Sequence, residues 1–81
     1  MKFIQIITSC PDKKTAKKIV KELLKNKICS CCQITGSVES HYWWQGKIEK
    51  SKEYLIFIKG KKKNFKRIEK IIKELHPYKV P

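Results

Sequence analysis

The sequence has 81 residues, of which 41% are hydrophobic and 33% are charged, and this balance excludes both a disordered chain and a membrane protein. No apolar run approaches the roughly 18 residues that a transmembrane helix needs. A chain of this length forms one small domain with a single core, which gains stability when a partner covers more of its surface.

The charge is strongly unbalanced, with 20 basic residues against 7 acidic ones and a net charge of +13. Such a surface could attract nucleic acid, anionic lipid or an acidic ligand. However, Arg67 is the only arginine, and bidentate contacts to phosphate and guanine favour arginine over lysine. A solvated lysine-rich surface is therefore the preferred interpretation, and a nucleic-acid-binding module is the alternative.

The N-terminus and the cysteines together indicate a cytoplasmic protein with reduced thiols. The first residues carry one lysine and a short apolar run broken by Gln5, with no small-residue cleavage site, unlike a signal peptide. Four cysteines occur, and two of them, Cys31 and Cys32, are adjacent, so that a disulfide between them would be strained. No disulfide framework is therefore expected.

The first half of the chain predicts a strand followed by an amphipathic helix. Residues 2–8 are rich in β-branched and aromatic side chains, and the segment 9–11 ends this strand. Asp12 is a suitable N-cap. The helix that follows carries apolar residues at helical spacing and lysines on its other face, and it ends at 26–27.

The second half predicts a hairpin and a second helix. A strand over 28–35 bends or bulges at Gly36 and resumes over 38–44. Gln45 and Gly46 form a two-residue turn, and 47–49 with 54–59 form the returning strand. Asn64 caps a helix over 65–75, which Pro77 stops.

The order β-α-β-β-α predicts an α+β protein with a ferredoxin-like split βαβ fold. Its antiparallel sheet has two helices on one face, and its fourth strand is missing or truncated at the C-terminus. In residues 54–58 both alternating faces are apolar, so another subunit is expected to cover the face away from the helices. The expected subunit-interface residues are Tyr42, Trp43, Trp44, Tyr54 and Ile56.

No catalytic constellation is present in the sequence, which predicts that the protein is not an enzyme. The thiols are the most suggestive group. In a strand, Cys29 and Cys31 would point to one face and Cys32 to the other. Buried cysteines can serve as small apolar side chains, or they can hold a soft ion such as Cu(I) or Zn(II) together with an imidazole.

If a soft ion binds, Cys10 and His76 are the first pair of ligands, because each is expected at a loop or element end near the edge of the sheet. Cys31 is the second choice. The simpler interpretation of His76 is an imidazole at a helix C-terminus, where the macrodipole favours positive charge.

Several segments carry a family resemblance. Residues 41–49 (HYWWQGKIE) resemble the Y-x-W-x-G-K-[IV]-E signature of the CutA divalent-cation tolerance family, and residues 73–81 (KELHPYKVP) resemble its [KE]-x-x-H-P-Y-x-x-P motif. Residues 8–12, Ala16 and residues 28–34 match its T-x-P-[DN], A and L-A-A-C-x-N-[IL] segments. The match runs over nearly the whole chain in the expected order.

The resemblance implies a PII-like homotrimer that is not established as an enzyme and is linked to tolerance of copper and other divalent metals. Its implied partners are other copies of the chain and metal ions, with no membrane partner and no obligatory cofactor. Members normally continue past V-P with a fourth strand and a short helix, so residues 1–81 are expected to form a single domain that is C-terminally incomplete relative to the family.

The resemblance also bears on the metal ligands. Cys31 matches the cysteine of the family's second strand. Some copper-binding members carry a cysteine at the position of Thr8 and a histidine at the position of His76. Cys10 would share a strand face with Thr8 only if the first strand continued through Ser9 and Cys10.

Overall fold

A computed structural model of the protein describes residues 2–75, and His76 lies outside them. The predicted β-α-β-β-α order is confirmed. The elements are β1 (Phe3–Cys10), α1 (Lys13–Lys25), β2 (Cys31–Trp44), β3 (Lys47–Lys61), a 3-10 turn (Lys62–Asn64) and α2 (Phe65–Leu75).

The three strands form one antiparallel sheet in the order β1-β3-β2, so β3 is central. The β1–β3 register runs from Phe3 opposite Lys61 to Cys10 opposite Tyr54. On the other side of β3, β2 is in register from Cys31 opposite Lys59 to Trp44 opposite Lys47. The predicted α+β class is therefore confirmed, with three strands and two helices among the described residues.

The core lies between the sheet and the two helices. Ile56 and Ile58 of β3 are fully buried, and their side chains share one face of the sheet because alternate residues of a strand point the same way. Both helices cover this face, which is called the helix face below. The remaining buried core residues are Cys10, Ala16, Ile19, Leu23, Ile28, Ile68 and Ile72.

Both ends of α1 are capped by local hydrogen bonds. The backbone N–H of Thr15 donates to the Asp12 carboxylate at 2.7 Å (N···Oδ1), as expected for an N-cap. This bond lowers the pKa of Asp12. At the other end, Lys27 has a left-handed φ of 55°, and the N–H groups of Lys27 and Ile28 donate to the carbonyls of Leu24 and Leu23. These two bonds form a Schellman motif.

The C-terminal cap of α1 explains why β2 begins later than predicted. The left-handed residue and its hydrogen bonds keep the chain irregular after the helix, and β2 begins at Cys31 rather than at residue 28. The strand prediction was also wrong at the end of β1, which continues through Ser9 and Cys10. There the ladder with Leu55 and Tyr54 of β3 outweighs the poor strand propensity of the local sequence.

The β2–β3 hairpin has the predicted turn and the predicted bulge. Gln45 and Gly46 have φ values of 50° and 77° and join the strands as a two-residue turn. The register shifts between Thr35 and Val38, so that two residues of β2 oppose Tyr54 alone. A Cβ on Gly36 would lie 2.6 Å from Cδ2 of Tyr54, so only glycine fits at this position.

Two adjacent leucines on α1 provide a direct test of this packing. Leu23 is fully buried, whereas Leu24 is 45% exposed. We expect Leu23→Ala to lower the free energy of unfolding by about 2–5 kcal/mol, because it removes core contacts and leaves a cavity. Leu24→Ala, the matched control, should change it by less than about 1 kcal/mol. Urea unfolding followed by circular dichroism measures the free energy of unfolding of both variants. Equal losses in the two variants would contradict the assignment of Leu23 to the buried side of α1.

Candidate functional site

The end of the β2–β3 hairpin projects away from the domain and carries large exposed side chains. We call residues 41–50 the aromatic arm, and every one of them is exposed. Trp43 is 71% exposed, Trp44 62% and Ile48 65%. Trp43 lies opposite Ile48 in the register, so the two form one apolar pair. Apolar surface of this size on an extended arm is typical of a contact site.

The ion pairs near the arm are exposed and do not explain its aromatic residues. The Glu39 carboxylate lies 3.6 Å from Nε2 of His41 and 3.6 Å from Nζ of Lys50. Exposed pairs of this kind contribute little to stability. His41 lies in β2, within the strand predicted over 38–44.

The face of the sheet opposite the helices is partly apolar. We call this the open face, and its side chains belong to Phe3, Gln5, Ile7, Ser9, Cys31, Gln33, Thr35, Leu55, Phe57, Lys59 and Lys61. Ile7 and Phe57 lie opposite each other in the register, and Ile7 is 56% exposed. Neither helix packs on this face. The apolar side chains of residues 54–58 are thus divided between the helix face and the open face, and the expected cover by another subunit stays a prediction.

The choice of β3 residues for the interface needs correction. Ile56 is fully buried on the helix face, and Tyr54 is half-buried against the core on the same face. The residues of this segment on the open face are Leu55 and Phe57. The expected residues Tyr54 and Ile56 thus lie on the helix face, because the alternation of apolar residues alone does not reveal which side of the sheet the helices cover.

Cys10 lies at the end of an element, as predicted, but it is not accessible to an entering ion. It is the last residue of β1 and is fully buried in the core. Because β1 continues through Ser9, Cys10 does share the helix face with Thr8. Burial, followed by the charges of Asp12 and Glu53, raises the pKa of Cys10 to about 11. Its thiol is therefore protonated at neutral pH.

The other three thiols are arranged differently from the strand prediction. Cys29 precedes β2, and its sulfur lies 3.3 Å from that of Cys32, with both residues half-buried. The expectation that Cys29 would share a face with Cys31 is therefore wrong. Burial, followed by the contact with Cys29, raises the pKa of Cys32 to about 12. All four cysteines are free.

Cys31 is exposed on the open face, where its neighbours across the register are polar. It lies opposite Lys59, whereas Cys10 lies opposite Tyr54 on the other side of β3. Five residues of β3 span about 17 Å at about 3.4 Å per residue. Cys10 and Cys31 of one chain are therefore too far apart to share an ion. Within residues 2–75 no group of three His, Cys, Asp or Glu side chains could hold a metal.

Comparison with known proteins identifies the family. The family described as CutA1 divalent ion tolerance protein matches residues 4–81. The chain belongs to this family. The divalent-cation tolerance protein CutA of Thermococcus kodakarensis is 41% identical over 81 residues, which are all of this chain and 77% of that protein. The resemblance noted from the sequence motifs is therefore confirmed, and the family is named for metal tolerance and not for a reaction.

Solved CutA1 structures share the fold. The CutA1 structure from the psychrotrophic bacterium Shewanella sp. SIB1 superposes with a TM-score of 0.95 at 37% identity, covering 98% of this chain and 74% of that one. The structure described as a periplasmic divalent cation tolerance protein CutA, from Archaeoglobus fulgidus, gives 0.94 at 30% identity, covering 99% and 78%. In this chain neither α1 nor α2 is long and apolar enough to cross a membrane.

The thiol positions predict a clear order of reactivity. At neutral pH we expect iodoacetamide to alkylate Cys31 at least about ten times faster than Cys10, because the Cys10 thiol is buried and protonated. Peptide mass spectrometry of the native protein over time measures both rates. The denatured protein, in which all four thiols should react alike, is the control. Similar native rates at Cys10 and Cys31 would contradict the assigned burial.

Proposed function

We propose that this CutA1 protein acts in tolerance of divalent metals, copper among them, as a cytoplasmic homotrimer that binds metal ions or a small ligand at clefts between subunits. The observation that carries this proposal is the family match over residues 4–81. The four free thiols fit a reducing compartment such as the cytoplasm.

The uncovered apolar surfaces support self-association. Ile7, Leu55 and Phe57 form an apolar patch on the open face, and the aromatic arm adds Trp43 and Trp44. In addition, β2 is an edge strand in a single chain, and such edges readily pair with another chain. Closed homo-oligomers are the usual way to cover matching surfaces of this kind, and a trimer is the state that the family resemblance implies.

The bulge in β2 supports a joint role for the arm and the open face. After the register shift, Val38 lies opposite Glu53, and Tyr42 and Trp44 follow it on the side of the sheet that carries Leu55. Tyr42 and Trp44 therefore form one continuous surface with the open face, whereas Trp43 and Ile48 lie on the other side of the hairpin. We propose Tyr42, Trp43 and Trp44 as interface residues, with Leu55 and Phe57 from β3.

Assembly is tested by mass in solution. Light scattering should give three times the 9.6 kDa chain mass at micromolar concentration. Trp44→Ala should shift the equilibrium toward monomer, since a buried aromatic anchor contributes about 2 kcal/mol or more to an interface. Leu24→Ala, an exposed apolar residue on α1, is the control and should leave the mass unchanged. A monomeric wild-type protein would refute the proposed assembly.

For the metal, we propose thiolate and imidazole ligands drawn from Cys10, Cys31 and His76. No carboxylate cluster for a hard cation occurs within residues 2–75, and soft thiolates favour Cu(I). The exposure of the thiols changes the order of candidate metal ligands that the sequence predicts. Cys31 comes first because its side chain is exposed in the single chain, on the open face where clefts between subunits would form. Cys10 would bind only if the end of β1 moved away from the core.

Competition against a Cu(I) chelator tests this order in the reduced protein. We expect Cys31→Ser to weaken binding by at least about tenfold, as the loss of even a supporting group near a metal does. Affinity should fall as the pH decreases, because protons compete with the ion for the thiolates. Cys10→Ser and His76→Ala test Cys10 and His76, the pair of metal ligands that was predicted first from the sequence. If all three variants bind as tightly as wild type, these ligands are wrong.

Nucleic-acid binding is the second candidate, favoured by the net charge of +13. Affinity for single-stranded RNA that falls steeply with salt would support it, because each phosphate contact releases counterions. A trimer that shows no RNA binding at physiological salt would support the metal-tolerance proposal.

A further inference from the structure

Cys29 and Cys32 form a pair of thiols that the metal-tolerance proposal does not use. Their sulfur atoms lie 3.3 Å apart, and both side chains are half-buried. A disulfide bond is about 2.05 Å long. Closure of this pair therefore requires a relative movement of only about 1.3 Å.

The backbone on each side of the pair is held in place. Ser30, between the two cysteines, donates to the Lys59 carbonyl from both its N–H (2.8 Å) and its hydroxyl (3.1 Å). Cys32 lies in the β2–β3 ladder opposite Ile58. Gly60 allows the chain to approach closely, since a Cβ there would be 3.3 Å from Cα of Cys29. The proximity of the thiols is thus a property of packed, hydrogen-bonded backbone.

Cys29 also lines a basic surface cavity. The cavity has a volume of about 320 Å³, and Cys29 forms part of its wall. Four basic side chains line it as well, namely Lys27, Lys61, Lys63 and Arg67. Positive potential in a cleft concentrates anionic molecules there. Glutathione disulfide carries several carboxylates, so it is an oxidant of suitable charge.

We propose that Cys29 and Cys32 are a reversible redox pair that closes to an intramolecular disulfide on reaction with an anionic low-molecular-weight disulfide such as glutathione disulfide. The Cys29 thiolate attacks one sulfur of the oxidant, and one glutathione leaves as its thiolate. The Cys32 proton passes to the departing glutathione thiolate, and the Cys32 thiolate then attacks the Cys29 sulfur and expels the second glutathione. The protein dithiol is oxidised, and one disulfide is reduced to two thiols.

The other two cysteines do not take part. Cys31 adjoins Cys32 in the strand, but its side chain points to the open face, on the opposite side of the sheet. Cys10 is buried near the opposite end of β3, in register with Tyr54. Closure of the pair therefore does not require the thiol of Cys31.

The test uses Cys31→Ser as the background, because exposed Cys31 would otherwise form its own mixed disulfide with glutathione. After incubation with glutathione disulfide, the intact mass should fall by about 2 Da, the mass of two hydrogen atoms. Non-reducing peptide mapping should link Cys29 to Cys32, and dithiothreitol should restore the original mass. An unchanged mass, or a glutathione adduct that persists without closure, would overturn the proposal.

Two further variants in the same background assign the roles. Adding Cys32→Ser should trap a glutathione adduct on Cys29, a gain of about 305 Da. Adding Cys29→Ser should abolish both the adduct and the disulfide, because Cys32 faces the packed helix face. If either variant fails to fold, alkylation of the oxidised wild-type protein is used in place of that variant. In that experiment, protection of both Cys29 and Cys32 supports the pair, and labelling of either one overturns it.

Discussion

The alternation of side chains along the central strand β3 is the constraint on which the rest of the structure depends. Ile56 and Ile58 are buried under the helices, and Leu55 and Phe57 lie on the open face. A slip of one residue would move every side chain of the strand to the other side of the sheet. Because β1 and β2 both pair with β3, its register also determines where the cysteines of the flanking strands lie.

Close backbone packing at Gly60 shows how tightly this register is held. Gly60 is buried on the helix face, where a Cβ would lie 3.1 Å from the carbonyl oxygen of Ile28 and 3.5 Å from Cδ1 of Ile68. A side chain at this position would press against the backbone of the segment that follows α1. The same close approach brings Cys29 to the start of β2, where its thiol meets that of Cys32.

The bulge at Gly36 determines to which side of the sheet the side chains of the aromatic arm point. Before the bulge, Cys32 and Ile34 of β2 lie on the helix face, and after it Val38 lies on the side of the open face. Without the extra residue, Tyr42 and Trp44 would point to the helix side, beyond the helices. One register shift therefore decides whether Tyr42 and Trp44 of the arm can form a common surface with the apolar open face.

The elements could be predicted from the sequence because they depend on local signals, whereas several site residues depend on tertiary contacts. The Asp12 cap, the apolar stripe of α1 and the Gln45–Gly46 turn each act over a few residues. By contrast, Cys10 is buried because β1 pairs with β3 beyond the point where the local sequence predicts a break. Likewise, Cys29 leaves the strand pattern because the Schellman motif at Lys27 delays the start of β2.

This delay gives adjacent cysteines different chemical environments. Cys31 and Cys32 are neighbours in sequence, but the pleat of β2 directs the first to the open face and the second toward the helix face. The irregular segment before the strand then brings Cys29 to the Cys32 side. An ion or oxidant that reaches Cys31 must approach the face where we propose that a second subunit packs, whereas Cys29 lines the basic cavity. The sheet therefore places the thiol of Cys31 on one side and the Cys29–Cys32 pair on the other, so that a reaction at one site does not use a thiol of the other.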